Sequence, residues 1–206
     1  MRILILGSSG IIGSSLLSFL SSYFNVKDTK IHGCSSQNLN LLIKGDVENF
    51  VSENSRYNII IFLVGLAHSK GKKKDLNQFY NINFKTLKNL FKYLKKYKKI
   101  PDKIIFSSSI SVYGERYGEN KYKEDSLKIP HSPYAVTKLM AEDYLLRNFK
   151  NITWILRFSP VYSKNFKLNL ERRTLIFKKL FRVGNGGKKL SLCNLRNINI
   201  VIKNII

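Results

Sequence analysis

Short apolar runs alternate along the chain with longer stretches in which apolar positions recur once per helical turn. The apolar runs predict strands at residues 2–6, 29–34, 58–64, 103–107 and 152–156. The amphipathic stretches predict helices at residues 11–24, 79–97 and 132–149. Strands that are apolar throughout need cover on both faces, so this order predicts an α/β fold with a doubly wound parallel sheet.

Length and composition exclude several classes of protein. A chain of 206 residues with 44% hydrophobic residues can form a packed domain, which excludes a disordered basic tail. The two cysteines, Cys34 and Cys193, allow one disulfide at most and fit a reducing compartment. The apolar run after Arg2 ends at Gly7, too early for a signal peptide, and no run is long enough to span a membrane. We therefore expect a cytoplasmic protein without a membrane partner.

The chain is strongly basic, with 36 Lys and Arg against 13 Asp and Glu and a formal net charge of +23. Such a balance can indicate a nucleic-acid partner. The lysines, however, are spread over most of the chain, and Asn and Ile are also frequent. A bias in composition explains this distribution better than a nucleic-acid interface does.

A glycine-rich turn follows the first predicted strand and opens the first predicted helix, with Gly7, Gly10 and Gly13 spaced three residues apart. In a dinucleotide-binding turn these glycines permit the tight turn, the approach of the pyrophosphate and the close packing of helix on strand. The N–H groups of the helix N-terminus would face the phosphates. An ordinary glycine-rich turn is the alternative. The turn residues predicted to bind the cofactor are Gly7, Ser9, Gly10, Ile11, Ile12 and Gly13.

The end of the second predicted strand bears on the choice between NAD and NADP. An acidic residue there would bind the ribose hydroxyls of NAD. The segment instead reads Gly33-Cys34-Ser35-Ser36, and its serines could accommodate the 2′-phosphate of NADP. The cofactor is therefore predicted to be NAD or NADP, with Ser35 at the ribose.

Tyr134 and Lys138 lie four residues apart in a predicted helix and so share one of its faces. A phenol titrates near pH 10 and is a poor base at neutral pH, but a nearby ammonium and a positive nicotinamide would favour the phenolate. In so lysine-rich a chain the pair alone carries little weight. A serine-rich segment at the end of the strand at 103–107 strengthens the interpretation of Tyr134 and Lys138 as a catalytic pair. Hydroxyl groups at that edge of the sheet would face the crevice in which ligands bind. Its candidate residues are Ser107, Ser109 and Ser111.

Together these segments resemble the extended short-chain dehydrogenase/reductase family, the NAD(P)-dependent nucleotide-sugar epimerases and dehydratases. The resemblance runs from Arg2 to about Ile202 and implies a Rossmann-type fold. It implies that Ser109, Tyr134 and Lys138 are catalytic, and that Ser107, Tyr134 and Lys138 also contact the cofactor. Further cofactor contacts that it implies are Asp46 and Val47 of a turn, Leu66 and Ala67 after the third strand, Asn83 at a helix start, and Phe158. The substrate residues that it implies are Ser109, Ser111, Tyr134, Arg172 and Arg173. A plain solvated helix face is the alternative for each of the two arginines.

Departures from the family pattern narrow the expected reaction. The family's dehydratases carry an Asp-Glu pair where this chain reads Ile110-Ser111, which disfavours dehydration. Family members are also longer, so we expect a cofactor domain at 1–160 and a partial, incomplete substrate-binding region at 161–206.

The resulting hypothesis is a nucleotide-sugar epimerase acting on a UDP-sugar, without a metal site. The alternatives are an NADPH-dependent 4-keto-sugar reductase and a truncated, non-catalytic protein that binds dinucleotide or nucleic acid. The resemblance also allows a homodimer.

Overall fold

The computed structural model describes residues 1–25, 27–66, 75–114, 121–176, 179–180, 185 and 190–206. Contacts divide the chain into two compact units, Met1–Arg157 and Phe158–Ile206. In the described ranges no helix combines the length and the apolar character needed to cross a membrane.

A five-stranded sheet in the order β2–β1–β3–β4–β5 forms the centre of the first unit. Its strands are β1 (Arg2–Leu6), β2 (Lys30–Cys34), β3 (Ile59–Phe62), β4 (Lys103–Ser109) and β5 (Thr153–Phe158). The pairings of β1 with β2, β1 with β3 and β3 with β4 are parallel. The chain runs outward from β1 to β2 and then crosses back to β3, so the strand order reverses next to β1. In open α/β sheets, ligands bind at the carboxyl ends of the strands at such a reversal.

The central strands are apolar along their length because helices cover the sheet. Every residue of β3 is buried, as are the last four residues of β1. The helices are α1 (Ile11–Tyr23), α2 (Lys44–Glu53), α3 (Leu76–Tyr80), α4 (Thr86–Lys96) and α5 (Pro133–Phe149). The α/β fold predicted from the sequence is thus confirmed.

The helix predicted over residues 79–97 is interrupted. It consists of α3, a π-helical turn at Asn81–Lys85, and α4. In the wider turn lies the fully buried Asn83, and Thr86 donates its hydroxyl to the carbonyl of Ile82 at 2.6 Å. Beyond this turn α4 follows the predicted pattern, with buried apolar residues on one face and exposed lysines on the other.

The prediction of a turn at Asp46 and Val47 is wrong, because these residues lie in the first turns of the helix α2. In α2 the residues buried from solvent are Val47 and Val51. Two apolar positions one turn apart are too weak a pattern to predict a helix from sequence.

In the second unit, the described residues form short strands and two helices. Its elements are β6 (Val161–Tyr162), α6 (Leu168–Thr174), β7 (Leu175–Ile176), β8 (Lys179–Leu180), β9 (Cys193–Asn194) and α7 (Leu195–Ile205). β6 pairs with β9 in parallel, and β7 pairs with β8 in an antiparallel manner. The side chain of Asn194 caps α7 by accepting the N–H of Arg196 at 2.9 Å.

Candidate active site

The carboxyl end of β4 carries three consecutive buried serines, Ser107, Ser108 and Ser109. Ser109 caps a short 3₁₀ turn at Ile110–Tyr113. Its hydroxyl accepts the N–H of Ser111 at 3.2 Å and donates to the Ser111 hydroxyl at 3.0 Å. The hydroxyl of Ser109 is therefore held where the chain leaves the sheet.

Tyr134 lies in the first turn of α5, and two residues just before it favour the start of the helix at this point. Ser132 accepts the N–H of Ala135 at 3.2 Å, and Pro133 occupies a first-turn position where no N–H is needed. The Tyr134 side chain hydrogen-bonds Ser109, and its ring meets that of Phe79 edge-on at 6.4 Å between centroids. The structure thus brings Tyr134 and Ser109 together.

Lys138 follows Tyr134 by one helical turn and has only 3% of its surface exposed. Its Nζ donates to the carbonyl of Ser107 at 2.9 Å and lies 4.9 Å from the centroid of the Phe106 ring. A Cβ at Gly65 would lie 2.9 Å from this Nζ, so a side chain at position 65 would crowd the ammonium. Desolvation lowers the pKa of Lys138 to about 8, and the charge of Glu142 opposes that shift.

The pKa of Tyr134 departs from the sequence expectation. Burial raises it above its ordinary value, and the hydrogen bond with Ser109 only partly offsets the rise. The expected lowering by the Lys138 ammonium is therefore not seen in the protein by itself. A further positive charge beside the phenol is needed to make it a base at neutral pH.

The glycine turn forms a cradle at the N-terminus of α1. Gly7 has a φ of +84°, and the N–H groups of Gly7 and Ser8 donate to the carbonyl of Cys34 at 2.9 and 3.0 Å. A Cβ on Gly13 would lie 2.2 Å from the Gly7 oxygen, so the helix approaches the turn as closely as a glycine allows. The first turn of α1 has neither a side-chain cap nor an acidic residue, and this leaves its N–H groups suited to a phosphate.

Asn83 joins the loop after β3 to α5. Its Oδ1 accepts the N–H of Leu66 at 2.6 Å, and its Nδ2 donates to the hydroxyl of Thr137 at 3.1 Å and the carbonyl of Leu66 at 3.4 Å. The oxygen and the nitrogen of the Asn83 side chain both hydrogen-bond protein groups, and the residue is fully buried. Asn83 therefore acts by fixing the positions of Leu66 and Thr137. Its predicted direct contact with the cofactor stays a prediction.

The chain matches the model of the NAD dependent epimerase/dehydratase family over residues 3–198. It belongs to this family. The resemblance found in the sequence is therefore confirmed.

Solved structures of family enzymes share the fold. The UDP-glucose 4-epimerase of Thermus thermophilus in complex with NAD is 19% identical, with a TM-score of 0.79 over 99% of this chain and 74% of that one. The dTDP-4-dehydrorhamnose reductase of Bacillus anthracis in complex with NADP is 20% identical, with a TM-score of 0.74 over 99% and 70%. The dTDP-glucose 4,6-dehydratase of the same organism in complex with NAD is 18% identical, with a TM-score of 0.72 over 100% and 71%.

The family's dinucleotide fits the residues of the first unit. The glycine cradle would receive the pyrophosphate, because the first turn of α1 has neither a side-chain cap nor an acidic residue. The bare backbone at Gly65 leaves the buried ammonium of Lys138 room at the carboxyl end of the sheet. That the glycine turn holds the pyrophosphate and Lys138 the nicotinamide ribose stays a prediction.

The three residues predicted to contact the adenosine part of the cofactor, Ser35, Asp46 and Val47, lie in different environments. Ser35 lies just after β2, and its hydroxyl donates to Asn38 Oδ1 at 2.8 Å. Asp46 is exposed in the first turn of α2. Val47 is fully buried in the core cluster, which gives it a packing role. Cofactor contacts of these residues stay predictions.

The remaining predicted residues lie in other parts of the chain. Ala67 falls outside the described residues. Phe158 ends β5, is half-buried, and belongs to the second unit. Arg172 and Arg173 are exposed on α6, where Arg173 donates to the carbonyl of Asn169 at 2.9 Å. Phosphate binding by these arginines stays a prediction.

Sequence reasoning missed a buried ion pair between Glu142 of α5 and Arg157 of β5. Glu142 is fully buried, and its carboxylate also accepts a hydrogen bond from Ser108. The one available signal was the spacing of four residues between Lys138 and Glu142 on the predicted helix.

Proposed function

We propose that the chain is a nucleotide-sugar epimerase of the UDP-sugar 4-epimerase kind that uses NAD or NADP. The observation that carries the proposal is the meeting of Ser109 and Tyr134 beside the buried Lys138 at the carboxyl end of β4. A phenol, a hydroxyl and an ammonium at one edge of a dinucleotide-type sheet can act on a secondary alcohol.

Each side chain has a distinct task in this reaction. When bound, the oxidised nicotinamide would accept hydride from the sugar carbon, return it to either face, and favour the Tyr134 phenolate through its positive charge. Tyr134 accepts the proton of the sugar hydroxyl and returns it when the ketone is reduced. Ser109 holds the sugar oxygen through its hydroxyl, and Lys138 holds the nicotinamide ribose. The net reaction inverts one carbon and consumes no cofactor.

The 3₁₀ turn favours epimerisation over dehydration. Elimination of water needs an acid and a base at the adjoining carbons, and the residues after Ser109 are Ile110 and Ser111. The Ser111 hydroxyl accepts a hydrogen bond from Ser109 and does not supply a carboxylate.

A second candidate is an NADPH-dependent reductase of 4-keto sugar nucleotides. The observation that favours it is the end of β2, where Ser35 stands in place of an acidic residue. A serine leaves space and hydrogen-bonding capacity for a 2′-phosphate, whereas an acid would repel it.

The experiment is to incubate the protein with catalytic NAD⁺ and either UDP-glucose or UDP-N-acetylglucosamine, and to follow the 4-epimers by NMR. Tyr134→Phe is the control, because it keeps the ring and removes the proton acceptor. Epimer formation that Tyr134→Phe abolishes supports the proposal. Stoichiometric loss of NADPH with a 4-keto sugar nucleotide would instead establish the reductase. Equal turnover by wild type and Tyr134→Phe would exclude both.

A further inference from the structure

Glu142 of α5 and Arg157 of β5 form a buried ion pair that has no task in the proposed reaction. Arg157 Nη2 lies 2.8 Å from Glu142 Oε2, and Arg157 Nε lies 3.0 Å from Oε1 and 3.2 Å from Oε2. The Glu142 side chain is fully buried and that of Arg157 is 14% exposed. Such a forked, charge-assisted contact fixes the orientation of both groups.

Arg157 extends the contact to a second element. Its Nη1 donates to the hydroxyl of Tyr113 at 2.6 Å and to the carbonyl of Glu124 at 2.8 Å. Its guanidinium carbon also lies 5.0 Å from the centroid of the Tyr113 ring. Tyr113 ends the 3₁₀ turn that Ser109 caps. Arg157 therefore connects β5 to the turn that holds a catalytic hydroxyl.

Glu142 makes the corresponding connection to β4. Its Oε1 accepts the hydroxyl of Ser108, which stands between Ser107 and Ser109. The carbonyl of Ser107 is the acceptor for Lys138, and Ser109 is the partner of Tyr134. The Glu142 carboxylate thus binds Ser108, which lies between the residue that contacts Lys138 and the residue that contacts Tyr134.

We propose that Glu142 and Arg157 are positioning residues for the Ser109–Tyr134–Lys138 site. Arg157 fixes the position of the 3₁₀ turn at Ile110–Tyr113 relative to α5. The negative charge of Glu142 favours the ammonium form of the buried Lys138. For its catalytic consequence this inference rests on the proposed function, which it deepens.

The electrostatic half of the proposal follows from what surrounds Lys138. Among the described residues, β4 supplies to it a carbonyl and the ring of Phe106, neither of which titrates. On α5 its titratable neighbours at one-turn spacing are Tyr134 and Glu142. Glu142 raises the pKa of Lys138 against the desolvation that lowers it to about 8. Without Glu142, the pKa of Lys138 should lie lower still, and a smaller share of Lys138 would be an ammonium at neutral pH.

The test is an NMR titration of isotope-labelled lysine side chains in the cofactor-free protein. Lys138 is assigned by its absence from Lys138→Arg, and its titration near pH 8 separates it from ordinary lysines, which titrate at about 10.4. In Glu142→Gln we expect its midpoint to fall by about one pH unit, because the favourable charge is gone. In Arg157→Lys the charges remain while the forked contact is lost, so the midpoint should stay near that of wild type.

Glu48→Gln is the matched control, since it breaks an exposed ion pair between α2 and Lys96 of α4 and should leave the Lys138 midpoint unchanged. If Glu142→Gln does not fold, Glu142→Gln/Arg157→Met removes both members of the ion pair, so that neither of them is left buried without the other. The Lys138 midpoint should fall there as well. An unchanged midpoint in the folded Glu142 variant, or an equal fall in Arg157→Lys, would overturn the proposal.

Activity provides the second readout. If wild type epimerises UDP-sugars, Glu142→Gln should lose turnover first on the alkaline side of its pH profile, where the weakened Lys138 ammonium is lost. Arg157→Lys should lose turnover by a similar factor at every pH. If wild type converts no sugar, the proposed function fails, while the titration of Lys138 still decides the role of Glu142.

Discussion

The ammonium of Lys138 donates to the carbonyl oxygen of Ser107 at 2.9 Å, although the lysine is only 3% exposed to solvent. Burial of an ammonium is unfavourable, and one carbonyl does not replace its lost hydration. The folded protein therefore carries a cost at neutral pH that is relieved when Lys138 loses its proton.

Stability should consequently depend on pH through Lys138. Its pKa is about 8 in the folded protein and about 10.4 in the unfolded chain, so below pH 8 both states bind the proton and the full cost is present. Between these values the unfolded chain binds more protons, and the free energy of unfolding rises with pH. Relative to Lys138→Met, wild type should gain about 3 kcal/mol at most across this window.

Urea unfolding of both proteins at about pH 7 and about pH 9.5 measures this gain. Lys88→Met, on the exposed face of α4, is the matched control and should show the same pH dependence as wild type. A constant difference between wild type and Lys138→Met would show that Lys138 titrates normally in the folded state.

The hydroxyl of Ser109 should set the ionisation of Tyr134. Burial raises the pKa of Tyr134 and the Ser109 hydrogen bond lowers it, so Ser109→Ala should raise it further. NMR titration of isotope-labelled tyrosine, with Tyr134→Phe for assignment, gives the midpoint. Ser111→Ala retains the Ser109 hydroxyl and serves as the comparison. A Tyr134 midpoint that falls or stays constant in Ser109→Ala would contradict this account.

Much of the site could be predicted because its determinants are local. The spacing of Tyr134 and Lys138 places both on one helical face, and a strand bounded by Arg2 and Leu6 leads directly into the glycine turn. Both features depend on residues close together in sequence, where the helix and strand periods decide the geometry.

The missed features depend on distant partners. The pairing of Glu142 with Arg157 joins a helix to a strand, and nothing in a charged residue's neighbourhood in sequence reveals that it is fully buried. The π-helical turn at Asn81–Lys85 escaped notice because the apolar period continues through it. What distinguishes that turn is the bonding of Asn83 to Leu66 and Thr137, which only the folded chain shows.

Asn83→Ala should destabilise the protein and also weaken cofactor binding. The substitution leaves the buried N–H of Leu66 without its acceptor, at a cost of about 1–3 kcal/mol. Asn89→Ala is a matched control, because Asn89 is a buried amide of α4 that donates to the carbonyl of Leu41 at 2.9 Å. Both variants should lose stability in urea, and only Asn83→Ala should lose affinity for NADH by fluorescence titration. Equal loss of affinity in both would assign Asn83 a general structural role.

Gly13→Ala should prevent the glycine turn from closing. The added Cβ would lie 2.2 Å from the Gly7 oxygen and 2.8 Å from the Ser8 Cα, both of them backbone atoms that cannot rotate away. We expect a loss of about 1–3 kcal/mol in unfolding free energy from the overpacking. NADH affinity should fall as well, because α1 must move away from the turn that would hold the pyrophosphate.

Gly45→Ala makes the same chemical change where there is space. A Cβ at Gly45 meets nothing within 4 Å, and the residue lies in the first turn of α2. Alanine is favoured over glycine in a helix by about 1 kcal/mol, so this variant should be more stable than wild type. Opposite signs for the two substitutions in urea unfolding would tie the effect of Gly13 to the closeness of α1 and the turn. If both glycines tolerated alanine equally, the tight packing at Gly13 could not be what shapes the cradle.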